Sequence, residues 1–408
     1  MRPSAHPLPP SSSLPPLQTL GQLSEANITS ALRSLSAIYC SLPVSVAFQL
    51  TPESRKPAHH SKSLVDSGYV SETDDDHEEV DGVDHHIAAL KVDAFERSFA
   101  ERWLTGFIAR AESLPCFEES EGACQQALDQ ASCVLATLFA VPKTDADQDD
   151  KDQDYAREFA FELLVPDADT PKASVPITVR LNDRLAGTNS ADPDDVGLQS
   201  WGASILMSEI LCASPARFGL SQPALGPSPR IVELGAGTGL VSLVLGNTLP
   251  HLGARFPIVV ATDYHPSVLN NLRSNVALNF PVPETNHHVQ TAALDWSAPV
   301  LQAPLDVPAD IIVATDVIYA PEHAIWLRDC ASSLLASDGV FWLLVTVRRN
   351  GRFNGVSDSV EAAFTAVDGP KGRDGKRLVI MQSEELQKRT GVGRGDESGY
   401  KLLDIRWA

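Results

Sequence analysis

The sequence predicts an α/β fold in which a largely parallel sheet carries helices on both faces. Short apolar stretches alternate with longer helical patterns from about residue 230, and three closely spaced glycines follow the first stretch. Such alternation is typical of parallel strands joined by helical crossovers. Strands are predicted at 231–234, 257–262, 310–315 and 340–347, with helices at 240–249, 266–278 and 321–336. The stretches 376–381 and 400–407 predict a closing antiparallel hairpin.

The part of the chain before this alternation divides into four segments. Residues 1–16 are rich in proline and serine, which predicts disorder. Residues 17–145 predict a helical region, interrupted by an acidic, disordered insertion at about 51–86. Its helices are expected at 17–39 with a start at Ser24, at 87–114 and at 123–139. A domain at 155–408 then opens with a β-hairpin, whose strands at 157–163 and 175–181 alternate in polarity.

Composition narrows the class of protein and its surroundings. The chain has 408 residues, is 43% hydrophobic and contains no apolar run long enough for a membrane helix. The N-terminus lacks the apolar core of a signal peptide, so we expect a cytoplasmic protein. A formal net charge of −21 argues against direct binding to a nucleic-acid backbone. We expect no membrane partner and a monomer.

Cysteine and histidine patterns predict neither disulfides nor a metal site. The six cysteines are scattered without a CxxC pair, which indicates reduced, mostly buried side chains. Nine acidic residues lie between Asp66 and Asp84 without a lysine or arginine, and six more lie between Asp145 and Asp154. His85 and His86 follow the first run, but its acids lack ligand spacing. Solvated acidic segments are the expected outcome.

The glycine motif ArgIleValGluLeuGlyAlaGlyThrGlyLeu, at 230–240, is the strongest signal in the sequence. A buried strand, a turn with Gly235, Gly237 and Gly239, and an apolar helix follow one another directly. This arrangement presents bare backbone amides at a helix N-terminus, where a ligand can approach closely. The sequence therefore predicts a ligand site at this turn rather than a turn without a ligand.

The identity of that ligand depends on two carboxylates. The pattern GxGxG, with Glu233 before the first glycine, departs from the GxGxxG motif of dinucleotide-binding proteins because Leu240 replaces the third glycine. A carboxylate at Glu233 would repel a pyrophosphate but suits the ammonium and sulfonium of S-adenosylmethionine. Asp263 ends the next strand and can accept hydrogen bonds from both ribose hydroxyls. We therefore expect S-adenosylmethionine rather than a nicotinamide cofactor.

Five short motifs occur in a fixed order along the chain. They are GlyLeuGlnSerTrp at 197–201, GluLeuGlyAlaGlyThrGly at 233–239, AlaThrAsp at 261–263, LeuAspTrp at 294–296 and AspValIleTyr at 316–319. Over roughly residues 157–408 they resemble the seven-strand protein-lysine methyltransferases grouped with the nicotinamide N-methyltransferase-like proteins. The resemblance implies a class I S-adenosylmethionine-dependent methyltransferase, with a Rossmann-like seven-stranded sheet whose last strand is antiparallel, and an N-terminal helical extension.

The resemblance also implies a substrate class. The helical region followed by this core is similar to fungal enzymes that methylate lysines of translation elongation factors, in particular the branch that acts on elongation factor 2. The long acidic insertions are not part of that pattern. A translation elongation factor is therefore the expected protein substrate.

Carried over by position, the motifs imply roles for single residues. Trp201 borders the cofactor, Gly235, Ala236 and Gly237 run beneath its amino-acid part, and Asp263 holds its ribose. Trp296, with Asp295 beside it, lies near the adenine. Thr315 lines the site at a position where family members often have alanine. Together with Glu233, these residues form the predicted cofactor site.

Asp316 and Tyr319 form an Asp-x-x-Tyr element that faces the incoming lysine in the resembling family. The lysine must react as a neutral amine, which lies about 4–5 kcal/mol uphill at pH 7 for an ordinary lysine pKa. A nearby carboxylate raises that pKa, so Asp316 is assigned to positioning the lysine rather than deprotonating it. Tyr319 is assigned to a hydrogen bond or a cation–π contact. No general base is evident, and water can take the proton.

Two other functions fit the same residues. A small-molecule N-methyltransferase would use the same core, because the fold does not determine the substrate. A non-catalytic methyltransferase-like domain could act as a binding module, although Glu233, the glycines, Asp263 and Asp316 are all present. Methyl transfer to a protein would distinguish a protein methyltransferase from a small-molecule one, and the absence of cofactor binding would indicate the non-catalytic module.

Overall fold

The computed structural model describes residues 8–40, 87, 90–91, 93–118, 120–140, 155–165, 173–183, 198–222, 224–281, 289–348, 355–372, 374–389, 392–393 and 397–408. Both predicted acidic segments, His85 and His86 lie outside these residues. The chain divides into two compact units. One contains Met1–Pro10 and Leu20–Pro142, and the other contains Ser11–Thr19 and Lys143–Ala408.

The first unit is helical, as predicted. Its helices are α2 (Glu25–Tyr39), α3 (Ala94–Ile108) and α4 (Glu121–Ala140), with short 3-10 turns at Ala111–Ser113 and Pro115–Phe117. Ser24 caps α2 as predicted, in a reciprocal capping box with Asn27. The helix predicted over 87–114 is broken, because the Asp93 side chain accepts from the Glu96 amide and starts α3 there.

The start of the chain differs in part from the predicted disorder of residues 1–16. Pro10–Ser13 form the short helix α1, and a 3-10 helix follows at Leu17–Gln22. Leu14 is buried, and the Lys388 ammonium donates to the Ser12 carbonyl. One apolar side chain and a backbone contact within the second unit therefore order part of a proline-rich segment that composition alone marks as unstructured.

The second unit opens with the predicted hairpin, in which β1 (Tyr155–Val165) pairs antiparallel with β2 (Ala173–Asp183). Seven further strands form one sheet. They are β3 (Arg230–Leu234), β4 (Ile258–Asp263), β5 (Val289–Ala293), β6 (Ala309–Thr315), β7 (Leu335–Arg348), β8 (Leu378–Gln387) and β9 (Glu397–Trp407). Their spatial order is β5-β4-β3-β6-β7-β9-β8. The last strand, β9, runs antiparallel to both neighbours, which confirms the predicted sheet.

Helices cover both faces of this sheet. One apolar cluster joins the hairpin, α5 (Gly202–Ala213), α6 (Leu240–His251) and α7 (Pro266–Asn279) to one face. A second cluster joins α8 (Pro321–Leu334) and α9 (Asp358–Thr365) to the opposite face. Ile231 belongs to the first cluster and Val232 to the second, as the alternation of side chains along a strand requires.

The predicted strands and helices of the alternating region are present with small shifts of their ends. Strand β7 starts at Leu335 instead of 340, directly where α8 ends. Strand β5 and helix α9 were not predicted. The ValGlnThrAlaAla of β5 lacks an apolar run, and the strand exists because it pairs with β4 at the sheet edge.

Other expectations concern membranes, metals and cysteines. Within the described ranges, no helix combines the length and apolarity needed to cross a bilayer. The same part of the chain has no group of three histidine, cysteine or acidic side chains that could hold a metal ion. All six cysteines are free thiols, but only Cys124, Cys212 and Cys330 are buried, so the expectation of mostly buried cysteines holds for half of them.

Candidate active site

The glycine turn follows β3 with the left-handed backbone that its sequence predicts. Gly235, Gly237 and Gly239 have φ angles of 74°, 57° and 92°. A Cβ on Gly235 would lie 2.7 Å from Val317 Cγ1 and 3.1 Å from the Trp296 ring. A side chain at Gly235 is thus excluded both by its backbone conformation and by its neighbours. The turn brings the loops after β3, β5 and β6 together.

Glu233 lies near the end of β3, and one of its carboxylate oxygens accepts hydrogen bonds from the first turn of the helix that follows. Its Oε2 accepts from the Ser242 amide at 2.9 Å and also from the Ser242 hydroxyl. Only 1% of Glu233 is exposed, and burial raises its pKa to about 7, with a further contribution from the charge of Asp263. The carboxylate therefore fixes the first turn of α6, a role that the sequence did not reveal. Its contact with a cofactor stays a prediction.

Asp263 ends β4, and backbone amides orient its carboxylate. Oδ2 accepts from the Gly237 amide at 3.1 Å, while Oδ1 accepts from the Tyr264 and His265 amides at 2.8 and 3.1 Å. Burial raises the pKa of Asp263, although these three bonds oppose the shift. The strand tip and the glycine turn are therefore held in one arrangement, with the acid beside the bare backbone as predicted.

Two polar atoms near this edge are buried without a partner in the part of the chain that the structure describes. They are the indole nitrogen of Trp296, whose ring packs beside Gly235, and the hydroxyl of Thr346 in β7. Thr315, at the end of β6, is 8% exposed. A buried polar atom without a partner costs free energy unless a ligand or water satisfies it. The indole nitrogen therefore marks this edge as a place where a polar ligand fits.

Trp201 forms the N-terminal boundary of α5, and the segment before it contacts the glycine turn. The Ser200 hydroxyl donates to Asp183 Oδ1 at 2.8 Å and lies 2.9 Å from the Thr238 hydroxyl. The backbone amide of Ser200 donates to the same oxygen of Asp183. Trp201 directly follows Ser200 and is partly exposed, and its contact with a cofactor stays a prediction.

Asp316 follows β6 with a φ of 52°, a left-handed conformation that is uncommon outside glycine. Its carboxylate is 3% exposed and accepts two hydrogen bonds from Arg348, at 3.2 and 3.0 Å. Glu397 Oε1 lies 3.9 Å from the same guanidinium, and Glu397 Oε2 accepts from the Tyr400 hydroxyl at 2.6 Å. The predicted catalytic acid is thus the end of a buried row of charged side chains.

Tyr319 lies between this buried row and the protein surface. It is 39% exposed, yet desolvation and then the Asp316 carboxylate raise the pKa of its phenol. Its amide donates to His323 Nδ1 at 3.3 Å, and the His323 ring stacks on Trp326 with centroids 5.5 Å apart. The structure therefore places Tyr319 at the inner end of a partly exposed aromatic row on α8.

Glu233, Asp263, Thr315 and Asp316 lie at or directly after the carboxyl ends of β3, β4 and β6, where open α/β sheets bind ligands. Sequence reasoning missed Asp183, Arg348 and Glu397. An arginine directly after the apolar strand PheTrpLeuLeuValThrVal signals a buried cation that needs a partner, so Arg348 could have been found. Asp183 follows an ordinary alternating strand and carries no such signal.

The residues of this edge fit S-adenosylmethionine. The bare backbone at Gly235 leaves room for close approach, Asp263 offers carboxylate oxygens to a diol, and the Trp296 indole nitrogen can donate to a nucleobase. Glu233 and Asp263 place two carboxylates around the turn, which disfavours a pyrophosphate and favours a cationic ligand. The structure thus supports the cofactor class that the sequence predicts.

Comparison with known proteins gives a family match over part of the chain. Residues 182–358 match a family described as "Lysine methyltransferase". Protein-lysine N-methyltransferase EFM2 of Saccharomyces cerevisiae is 28% identical over 167 residues, which cover 39% of this chain and 39% of that protein. Protein-lysine N-methyltransferase EEF2KMT of Bos taurus is 30% identical over 176 residues, which cover 38% and 44%. The chain thus spans less than half the length of each of these relatives.

A further relative matches a shorter stretch at higher identity. Protein-lysine methyltransferase METTL21E of Mus musculus is 38% identical over 96 residues, which cover 22% of this chain and 34% of that protein. The family match contains the glycine turn, Asp263, Trp296 and the Asp-x-x-Tyr element. Residues 182–358 are therefore similar to the lysine methyltransferase family, in agreement with the resemblance that the five motifs carry.

Proposed function

We propose that this chain is an S-adenosylmethionine-dependent protein-lysine N-methyltransferase whose substrate is a translation elongation factor, namely elongation factor 2. The observation that carries the proposal is the family match over a segment in which Val317, the residue after Asp316, packs against Gly235 of the glycine turn. The names of the relatives EFM2 and EEF2KMT support a protein lysine as the methyl acceptor. The name EEF2KMT supports elongation factor 2 as the particular protein.

The cofactor would be held by residues from four loops. Trp201, Gly235 to Gly237 and Glu233 would surround its amino-acid part, Asp263 its ribose, and Trp296 and Thr315 its adenine side. When bound, S-adenosylmethionine supplies an electrophilic methyl group. The chain itself contributes alignment and exclusion of water, which are the main protein contributions to an in-line displacement.

The lysine would enter along the aromatic row of α8. Tyr319, His323 and Trp326 present stacked and edge-on rings between solvent and the buried edge. Aromatic faces accommodate both an alkyl stem and a cationic head, and a desolvated channel lowers the pKa of an amine. Tyr319 would contact the amine, and Asp316 would orient it from within. A proton released from the amine would pass to water.

Transfer of labelled methyl groups tests this proposal. The full-length chain is incubated with methyl-labelled S-adenosylmethionine and elongation factor 2 purified from cells that lack this gene. We expect label in one lysine-containing peptide of elongation factor 2, identified by mass spectrometry, which also counts the methyl groups. Label in other proteins of an extract would replace elongation factor 2 as the substrate, and label only in small solutes would favour a small-molecule methyltransferase.

A binding measurement addresses the non-catalytic alternative. Calorimetry of the full-length chain with S-adenosylmethionine and with its demethylated product needs no substrate. We expect both to bind at one site per chain. A folded chain that binds neither would support a binding module that has kept the fold without the reaction.

A further inference from the structure

A buried row of alternating charges lies behind the predicted catalytic acid. Arg348 stands between Asp316 and Glu397, and the side chains of the three residues are 5%, 3% and 0% exposed. The two Arg348–Asp316 bonds form the bidentate arrangement that fixes both groups in one plane. Because the row is buried, salt in the solvent does little to screen these charges.

The sheet register builds this row. Strand β7 pairs antiparallel with β9 so that Arg348 faces Glu397, directly after a register shift between Val347 and Arg348. The Asp316 amide donates to the Leu344 carbonyl of β7 at 2.9 Å, which holds the loop after β6 against the same strand. Val317, the next residue, packs against Gly235. The row therefore connects the central strands to the glycine turn.

The pairing changes what Asp316 can do for an incoming lysine. An unpaired buried carboxylate would stabilise the ammonium form, and the ammonium cannot attack a methyl group. Both oxygens of Asp316 accept from the Arg348 cation, which offsets that attraction. Within the described ranges, the other charged or titratable groups that interact with this position are Glu397 and Tyr400 of β9, Asp263 of β4 and Tyr319 of the same loop. Among these groups, Arg348 supplies the positive charge.

We propose that Arg348 is a positioning residue that orients the Asp316 carboxylate and, through its charge, favours the neutral form of the substrate lysine. This inference rests on the proposed function, because it assigns a role within the same site. Glu397, whose Oε1 lies 3.9 Å from the guanidinium, offsets part of the positive potential of Arg348. The row contains two carboxylates and one guanidinium. Removal of the positive charge and removal of the outer negative charge should therefore shift the pH dependence of kcat in opposite directions.

The first test follows kcat against pH for methylation of elongation factor 2 at saturating cofactor and substrate. The variants are Arg348→Gln, Arg348→Lys and Glu397→Gln in the full-length chain. We expect Arg348→Gln to move the rise of kcat to higher pH by about one unit, because the lysine then faces an uncompensated carboxylate. Arg348→Lys keeps the charge but loses the bidentate geometry, so kcat should fall by about tenfold without a shift of the profile.

Glu397→Gln provides the matched change of opposite sign. It removes a negative charge 3.9 Å from Arg348 while keeping an acceptor for the Tyr400 hydroxyl. We expect its profile to move to lower pH. A general loss of structure would lower kcat in both variants without moving the profiles in opposite directions. Unchanged profiles in active, folded Arg348→Gln and Glu397→Gln variants would overturn the inference.

A second measurement keeps the inference testable without a protein substrate. The dissociation constants of cationic S-adenosylmethionine and neutral S-adenosylhomocysteine are compared by calorimetry. We expect Arg348→Gln to shift their ratio toward the cation, on the order of fivefold, and Glu397→Gln to shift it in the opposite direction. Equal ratios in all three proteins would overturn the charge role even if elongation factor 2 were not methylated. Absence of methylation by the wild type alone would instead contradict only the proposed substrate.

Discussion

The Ser200 hydroxyl donates to the Asp183 carboxylate at 2.8 Å and lies 2.9 Å from the Thr238 hydroxyl. Asp183 and Ser200 therefore connect the hairpin to the glycine turn. Asp183 is fully buried and also forms an ion pair with Arg157 at 3.0 Å. Asn275 Nδ2 donates to the Thr238 carbonyl from α7. The hairpin that precedes the methyltransferase core therefore helps to hold the backbone of its predicted cofactor site.

Asp183→Ala should weaken both stability and cofactor binding. The change removes the acceptor of two Ser200 bonds and the carboxylate that pairs with the partly exposed Arg157. We expect the free energy of unfolding to fall by about 2–3 kcal/mol, at the lower end for a broken buried pair. Urea titration and calorimetry of the full-length chain measure the two effects.

The same hairpin offers a control for Asp183→Ala. Glu158 pairs with Arg180 at 2.8 Å, but both side chains are more than half exposed. Glu158→Ala should change stability by less than about 1 kcal/mol and leave cofactor affinity unchanged. Equal losses from Glu158→Ala and Asp183→Ala would contradict a special role for the buried pair.

Gly235→Ala should abolish cofactor binding, whereas Gly226→Ala should not. Both glycines have positive φ angles, 74° and 64°, so both substitutions introduce backbone strain of about 1–2 kcal/mol. Only at Gly235 would the new Cβ also press on Val317 and Trp296, while at Gly226 nothing lies within 4 Å. Thermal unfolding should show losses in both variants, and calorimetry should separate them. If Gly226→Ala also lost cofactor binding, backbone strain alone would explain the loss in Gly235→Ala, and the contacts of Gly235 would have no special role.

Glu233 should make the protein less stable as pH rises from about 4.5 to 7. Burial raises its pKa from the ordinary 4.5 to about 7, so over this window the unfolded chain ionises while the folded chain keeps the proton. Stability is therefore full below pH 4.5 and is lost as pH rises through the folded pKa, by about 3 kcal/mol.

Glu233→Gln isolates this effect, because the amide oxygen can still accept from Ser242 and does not titrate. Urea unfolding at several pH values should show the variant gaining on the wild type between pH 4.5 and 7.5. Asp183 also has a raised pKa but contributes equally to both proteins, whereas the charge of Asp263 is one of the causes of the Glu233 shift and its effect is part of the measured difference. A constant difference between variant and wild type across this window would refute the prediction.

Asp316→Ala should lower turnover by at least about a hundredfold while changing the dissociation constant of the neutral product S-adenosylhomocysteine by less than about threefold. The side chain bonds to Arg348 rather than to the glycine turn, and one positioned polar group in an active site typically contributes that much to kcat. Asp306, an exposed acid just before β6, provides the control, and Asp306→Ala should leave both constants unchanged. Loss of cofactor binding in a folded Asp316→Ala variant would show that Asp316 is misassigned.

Local sequence patterns predict the strand–helix alternation, the glycine turn and the acid at the end of β4. These features depend on residues close together in the chain, where apolar periodicity and the conformational freedom of glycine act directly. The unpredicted β5 shows the limit of that approach, because its five residues contain no local strand signal and rely on pairing with β4.

The pairing of the charged side chains at the site, in contrast, depends on the tertiary fold and follows from no local sequence pattern. Arg348 lies 32 residues from Asp316, and Asp183 lies 17 residues from Ser200. Glu397 meets Arg348 because of the β7–β9 register and its local shift, which no local pattern specifies. A buried charged side chain requires a partner of opposite charge, and a sequence motif can identify such a side chain. The identity of the partner depends on the distances between side chains in the folded sheet.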